Sequence, residues 1–113
     1  MSRWYVEHLG LQVKRRSVEP PYAHFLVDDS GTVMIEIYGN RDVPVLDFRN
    51  TSPMVLHCAF VSTDIESDIK RLTAAGATIA AEMATTPAGD RMAMLQDPWG
   101  VAVQLVQRAK PMI

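Results

Sequence analysis

Two stretches of the chain alternate apolar runs with a short polar turn, and each places one polar residue inside an apolar run. In residues 92–106 (MAMLQDPWGVAVQLV) that residue is Gln104, and in residues 25–39 (FLVDDSGTVMIEIYG) it is Glu36. Counted from Asp97 and from Asp29, each comes seven positions later. Apolar runs joined by such turns are typical of β-hairpins. The pattern predicts two hairpins related by duplication, with Glu36 and Gln104 at matching positions.

The first hairpin is preceded by a helix. Trp4, Tyr5 and Leu9 share a stripe at helical spacing, and Gly10 can adopt the left-handed conformation that ends a helix. The pattern therefore predicts a helix over residues 2–9. The three strands that follow are predicted over residues 11–14, 22–27 and 32–38.

The second half begins with a strand instead. Residues 54–62 form an apolar run that predicts a central strand, and Thr63 with Glu66 predicts a capping box that opens a helix. An apolar stripe starts at Ile65, and Gly76 ends the helix. The strands that follow are predicted over residues 78–83, 91–96 and 101–107.

The two halves then differ by one element, since the first has no opening strand. Gly10 and Gly76 are 66 residues apart (76 − 10), and Glu36 and Gln104 are 68 apart (104 − 36). Subtracting 66 from the run at 54–62 puts its counterpart before residue 1. We expect the opening strand of the first half to have preceded Met1.

Length indicates one domain over residues 1–113, large enough to bury a core without disulfides, and the predicted helices and strands make its fold class α+β. Its first module covers about residues 1–40 and its second covers residues 54–108. The stretch 41–53 between them is polar and contains prolines, which is typical of a linker.

Charge and hydropathy exclude several classes of protein. The net charge is −2, and the densest basic run is only residues 14–16, so a nucleic-acid surface is not expected. No apolar run is long enough to cross a bilayer, and the first ten residues lack a signal-peptide pattern. Cys58 is the single cysteine. We expect a soluble cytoplasmic protein that binds neither membranes nor nucleic acid.

The chain resembles the vicinal oxygen chelate superfamily, which includes glyoxalase I, extradiol dioxygenases, fosfomycin-resistance transferases and bleomycin-resistance proteins. The resemblance covers almost the whole chain and rests on the repeat and on four segments: WYVEHLG, VLHCAFV, LTAAGA and LQDPWGVAVQLV. It implies two βαβββ modules that form a curved mixed sheet around a cavity, here with the first strand of module 1 absent. It also implies a divalent metal held by the first and last strands of each module.

Carried over by position, the metal ligands would be His57, Glu36 and Gln104, the fourth position lying on the absent strand. Gln104 is a neutral amide where the family usually has Glu. A carboxylate and an imidazole suit Zn, Ni, Mn or Fe, and an open site of this kind can polarise a substrate oxygen. The resemblance thus implies a metal-dependent glyoxalase-type lyase or isomerase acting on vicinal oxygens, with Glu36 as the catalytic proton carrier. A dioxygenase fits less well, since it needs two His and one carboxylate.

A metal-free protein that sequesters a small molecule, as the bleomycin-resistance members do, is the alternative. Each proposed ligand also has a structural interpretation. His57 could bond a backbone carbonyl, Glu36 could pair with an arginine such as Arg91, and Gln104 could form a hydrogen bond across the sheet. The sequence leaves both functions open.

Two kinds of partner are expected. The first is a small-molecule ligand, contacted by Trp99 at the mouth of the cavity and by Tyr38, which shares a strand face with Glu36. The second is another copy of the chain, because a missing strand leaves a sheet edge open and exposed edges recruit partners. We predict a homodimer, and exchange of strands or modules between chains is one way to form it.

Overall fold

A computed structural model describes residues 1–32 and 34–113, and these form a mixed α+β protein of two compact units. Residues 1–45 make the first unit and residues 46–113 the second, and each is described by itself. Val33, which the predicted strand over 32–38 includes, lies outside the described residues. No helix in the described part of the chain is long and apolar enough to span a membrane.

The elements follow the predicted order. The first unit contains α1 (Ser2–Leu9), β1 (Gln12–Arg16), β2 (His24–Val27) and β3 (Met34–Ile37). The second contains a short 3₁₀ helix (Phe48–Asn50), β4 (Cys58–Val61), α2 (Ile65–Ala74), β5 (Thr78–Thr85), β6 (Arg91–Gln96) and β7 (Ala102–Gln107).

In the first unit, α1 packs against an antiparallel sheet of order β1-β2-β3. Gly10 has a φ of 71° and ends α1, as predicted. Trp4 and Tyr5 of the helix are buried, and Leu26 of the central strand is fully buried. Burial of these large side chains forms the small core of this unit.

In the second unit, α2 packs on a four-stranded sheet of order β4-β7-β6-β5. β4 runs parallel to β7, and the other pairs are antiparallel. Ile65 and Leu72 of the helix are fully buried. Leu95 and Val103 of the two central strands are each only 1% exposed. The predicted stripe of α2 is therefore the face that covers the sheet.

Two local predictions for this unit are wrong. The strand expected over residues 54–62 is only Cys58–Val61, because the residues before His57 form a turn in which the Val55 N–H donates to the Ser52 carbonyl at 2.9 Å. The helix is capped by Asp64, whose carboxylate accepts from the Ser67 N–H at 3.2 Å, and not by the predicted capping box. Asp is as good a capping residue as Thr, so sequence pattern alone does not separate them.

The two hairpin turns correspond, but with a shift of one residue. The Gly31 N–H donates to the Asp28 carbonyl at 2.9 Å, and the Gly100 N–H donates to the Asp97 carbonyl at 2.9 Å. Asp28, and not Asp29, is therefore the counterpart of Asp97. The first hairpin has one residue more between its turn and its polar residue.

Strand pairing nevertheless confirms the predicted match of the polar residues. Glu36 lies opposite Phe25 in β2, and Gln104 lies opposite Met94 in β6. Each of these partners comes three residues before the turn aspartate. The predicted alignment of Asp29 with Asp97 was wrong by one residue, but Glu36 and Gln104 occupy equivalent positions in their sheets.

Candidate functional site

Glu36 lies on β3, which is an edge strand of the three-stranded sheet. Its side chain shares a face with Phe25 of β2, which in turn lies opposite Arg15 of β1. Glu36 is exposed, and Tyr38, just beyond the strand, is 53% exposed. A hydrated carboxylate has no desolvation cost to offset. Glu36 therefore needs no cation to stay ionised at this exposed position.

Gln104 lies on β7, which is a central strand between β4 and β6. It sits opposite Met94 on one side and Ala59 on the other, and it is half-buried. Its side-chain amide forms no hydrogen bond with any residue that the structure describes. An amide carries two donors and a carbonyl acceptor, so Gln104 offers unused hydrogen-bonding capacity between apolar neighbours.

His57 lies one residue before β4 and is half-buried. Its Nδ1 is 2.7 Å from the Pro53 carbonyl oxygen. Because a carbonyl can only accept, Nδ1 carries a proton and donates, and in the neutral imidazole the lone pair is then on Nε2. This is the predicted structural interpretation of His57. A donated Nδ1–H also orients histidines that bind metals through Nε2, so the contact suits both roles.

The predicted metal ligands are one imidazole, one carboxylate and one neutral amide. Among residues 1–32 and 34–113, no group of three or more His, Cys, Asp or Glu side chains is placed to hold one. Of the three predicted ligands, His57 and Gln104 belong to the second unit and Glu36 to the first. Protein zinc sites use three or four strong ligands, and an amide oxygen is a weaker donor than a carboxylate.

Arg91, considered above as a partner for Glu36, pairs with other residues. Its guanidinium donates to the Glu66 carboxylate at 2.6 Å and to the Met83 sulfur at 3.2 Å. These contacts join the start of β6 to α2 and β5. The pairing of Arg91 with Glu36 is therefore wrong.

The turn between β6 and β7 is held by several hydrogen bonds and exposes Trp99. The Asp97 carboxylate is 1% exposed and accepts from the Trp99 and Val101 N–H groups, both at 2.9 Å. Arg49 donates to the Pro98 carbonyl at 2.9 Å and holds the turn from outside. Trp99 itself is 47% exposed. A large exposed aromatic ring can contact a ligand, and the role predicted for Trp99 stays a prediction.

Cys58 follows His57 but is a poor candidate for chemistry. Burial raises the pKa of its thiol, and the negative charge of Asp97 raises that pKa further. Thiolate, and not thiol, is the nucleophile and the metal ligand. Cys58 therefore stays protonated at neutral pH, in keeping with a small packing residue.

The sequence assigned no role to Arg15 or Phe25, although both share the sheet face of Glu36. Plain alternation along β1 would have put Lys14 beside Phe25. The pairing instead skips a residue between Val13 and Arg15. No residue type in this run signals such a bulge, so only the structure shows this neighbour.

Comparison with known proteins identifies relatives of this architecture. The model of the Glyoxalase/Bleomycin resistance protein/Dioxygenase superfamily matches residues 1–105. No protein of curated function matches the chain in sequence.

Three solved structures illustrate the similarity in fold. A glyoxalase family protein from Bacillus cereus is 21% identical with a TM-score of 0.76, over 89% of this chain and 80% of that chain. Glyoxalase I from Zea mays is 23% identical with a TM-score of 0.73, over 96% of this chain but only 40% of the maize chain. TnmS3, an antibiotic binding protein from Streptomyces sp. CB03234, is 21% identical with a TM-score of 0.62, over 94% of this chain and 82% of that chain.

Proposed function

Because the chain belongs to the Glyoxalase/Bleomycin resistance protein/Dioxygenase superfamily, we propose that it binds a small, partly apolar molecule on the sheet face that carries Gln104. The observation that supports this proposal is the free amide of Gln104 between Met94 and Ala59. Ligand sites are mostly apolar, with a few polar groups that fix orientation. Binding of this kind needs no metal.

The surrounding residues suit such a ligand. Met94 has a flexible, polarisable side chain that adapts to different ligand shapes. Trp99 adds an exposed aromatic surface at the end of the same hairpin. TnmS3 is an antibiotic binding protein of the same fold. We therefore place antibiotics of partly aromatic character first among the ligands to test.

A metal-dependent glyoxalase-type enzyme is the second candidate. It is favoured by His57, whose Nδ1 contacts the Pro53 carbonyl, so that the lone pair of Nε2 can bind a metal. In this case His57, Glu36 and Gln104 would hold Zn, Ni, Mn or Fe, which would act as a Lewis acid. Glu36 would then carry a proton. The shortage of strong donors places this candidate second.

The two candidates are separated by measuring binding and metal content on the same protein. Bleomycin and a panel of aromatic antibiotics are titrated by calorimetry, with and without a chelator, against wild type, Gln104→Leu and Lys70→Ala. Lys70 is an exposed residue of α2, the helix that packs on the sheet, and serves as the control. We expect saturable binding that the chelator leaves intact, a Kd raised about tenfold in Gln104→Leu, and no change in Lys70→Ala.

Metal analysis of the purified protein tests the enzyme against the metal-free binding protein. Stoichiometric metal in wild type that is lost in both Glu36→Ala and His57→Ala would favour the enzyme. Binding that is unaffected by Gln104→Leu would remove the proposed role of this amide.

We also propose a homodimer that uses the edge of β4. β4 is an edge strand of its sheet, Val61 on it is 77% exposed, and Met54 and Val55 before it are also exposed. An open apolar edge favours pairing with a second chain, by addition or exchange of strands. Light scattering over a dilution series should show a dimer that Val61→Lys converts to monomer. Ile79→Lys, on the opposite edge strand β5, should leave the dimer intact; a dimer that survives Val61→Lys contradicts the proposed interface.

A further inference from the structure

A bulge in β1 changes which basic side chain faces the centre of the first sheet. Val13 pairs with Leu26 and Arg15 pairs with Phe25, so Lys14 between them has no partner in β2. A bulge re-aims the side chains that follow it, and bulges are frequent next to functional sites. Here it moves Arg15 onto the face of Phe25 and leaves Lys14 outside the paired row.

A groove of about 470 Å³ lies beside this bulge. Its backbone is held in place by the Ser17 N–H, which donates to the Ala23 carbonyl at 2.8 Å, and by the Ser17 hydroxyl, which donates to the Glu19 carbonyl at 3.0 Å. These bonds tie the loop after β1 to the start of β2. The lining residues are Arg15, Arg16, Ser17, Val18, Glu19 and Phe25.

The lining of the groove has an excess of positive charge, with two arginines and one glutamate. Arg15 and Arg16 form no ion pair with any described residue, and Glu19 is the single carboxylate of the lining. Arginines elsewhere, such as Arg91 and Arg108, each pair with a carboxylate. Unpaired guanidiniums in a concave site favour an anion.

We propose that this groove binds an aromatic carboxylate. The planar fork of Arg15 matches a carboxylate group in a bidentate manner. The half-buried ring of Phe25, directly opposite Arg15 in the sheet, offers an apolar wall for an aromatic ring. Glu19 disfavours a doubly charged phosphate more than a singly charged carboxylate, which sets the preference between the two anions. The groove belongs wholly to the first unit, so this proposal is independent of ligand binding at Gln104.

Amide chemical shifts of the full chain test the proposal with three probes of known chemistry. Benzoate carries both the ring and the carboxylate, benzamide carries the ring without the charge, and inorganic phosphate carries charge without the ring. We expect saturable shifts at residues 15–19 and at Phe25 with benzoate, and weaker binding of the other two probes. Arg15→Gln should raise the Kd for benzoate about tenfold.

Lys14→Gln is the matched control, because it removes the same charge from the adjacent residue outside the lining. It should leave the Kd for benzoate unchanged. Because both Lys14 and Arg15 are exposed, both variants should keep the wild-type pattern of dispersed amide signals. Equal losses in Lys14→Gln and Arg15→Gln would overturn the proposal, since attraction would then come from net charge alone. Phosphate binding as tight as benzoate binding, or no saturable shift with benzoate, would also overturn it.

Discussion

Glu36 and Gln104 occupy equivalent positions in two hairpins, yet their surroundings differ. Glu36 is exposed on the edge strand β3, whereas Gln104 is half-buried on the central strand β7. Strand alternation determines which face a residue occupies, and the neighbouring strands determine how far that face is covered. A repeat in the sequence therefore predicts equivalent geometry but not an equivalent environment.

The two units also differ in how their other strand residues are buried. In the second unit the central strands β6 and β7 carry most of the core, including Leu95, Val103 and Leu105. In the first unit the outer strands β1 and β3 contain no buried residue among those described, and burial is concentrated at Leu26 and Val27 of β2. A neutral polar residue suits the more buried strand, and a charged one suits the edge.

The largest expected difference between the units concerns their turn glycines. Gly100 has a φ of 94°, and a Cβ there would come within 2.8 Å of the Arg49 backbone. Gly31 has a φ of 69°, but a Cβ there would meet no atom of the described residues within 4 Å. We expect Gly100→Ala to lower the free energy of unfolding by about 3 kcal/mol or more, from strain plus steric overlap. Gly31→Ala should cost only about 1 kcal/mol, from backbone strain alone.

Urea denaturation of both variants, followed by circular dichroism, measures this difference. Equal losses of stability would show that the contact between Arg49 and the second turn is not maintained in solution.

Exchanging the polar residues should give the next largest effect. Gln104→Glu places a carboxyl between Met94 and Ala59, where partial burial raises its folded pKa. The native state then favours the protonated carboxyl. As the pH rises through that pKa, the free energy of unfolding of the variant should fall by about 1 kcal/mol. Glu36→Gln, at an exposed site, should stay within about 0.5 kcal/mol of wild type. Unfolding midpoints between acidic and neutral pH measure both, and a pH-independent effect of Gln104→Glu would contradict its half-buried environment.

A smaller effect is expected at the end of the second unit, where Asp90 holds the C-terminal segment. The Ala109 N–H and then the Arg108 guanidinium, both donating at 2.9 Å, lower the pKa of the Asp90 carboxyl. Its contribution to stability is therefore present above its unfolded pKa of about 3.9 and is lost as the pH falls through the folded value. Asp90→Asn should be less stable than wild type at neutral pH, and the difference should shrink in acid.

Glu82→Gln, at an exposed carboxylate on β5, is the control for this titration and should show no such convergence. A constant difference between Asp90→Asn and wild type at all pH values would mean that the charge of Asp90 is unimportant.

Much of the fold could be predicted from the sequence. The order of helices and strands, the two hairpins, and the left-handed ends at Gly10 and Gly76 all agree with the structure. Errors occurred where neighbouring residues compete for one role, as Asp64 does with Thr63 for the helix cap. They also occurred where an apolar run forms a turn, as it does before His57.

The candidate site was less predictable. The repeat indicates Glu36 and Gln104, and the family resemblance indicates His57, but neither reports burial or hydrogen bonding. The contact of His57 with the Pro53 carbonyl depends on the turn that replaced the start of a predicted strand. The neighbour of Phe25 depends on a bulge that no local residue type requires.

The class of fold, the duplicated hairpins and the equivalence of Glu36 and Gln104 follow from local sequence patterns, because hydrophobic period and turn residues act over a few positions. The half-buried position of Gln104, the exposure of Glu36 and the placing of Arg15 beside Phe25 at a groove follow from strand pairing. Burial and cross-strand neighbours depend on which strands lie alongside and in what register. Those pairings join residues far apart in the chain, so no local pattern specifies them.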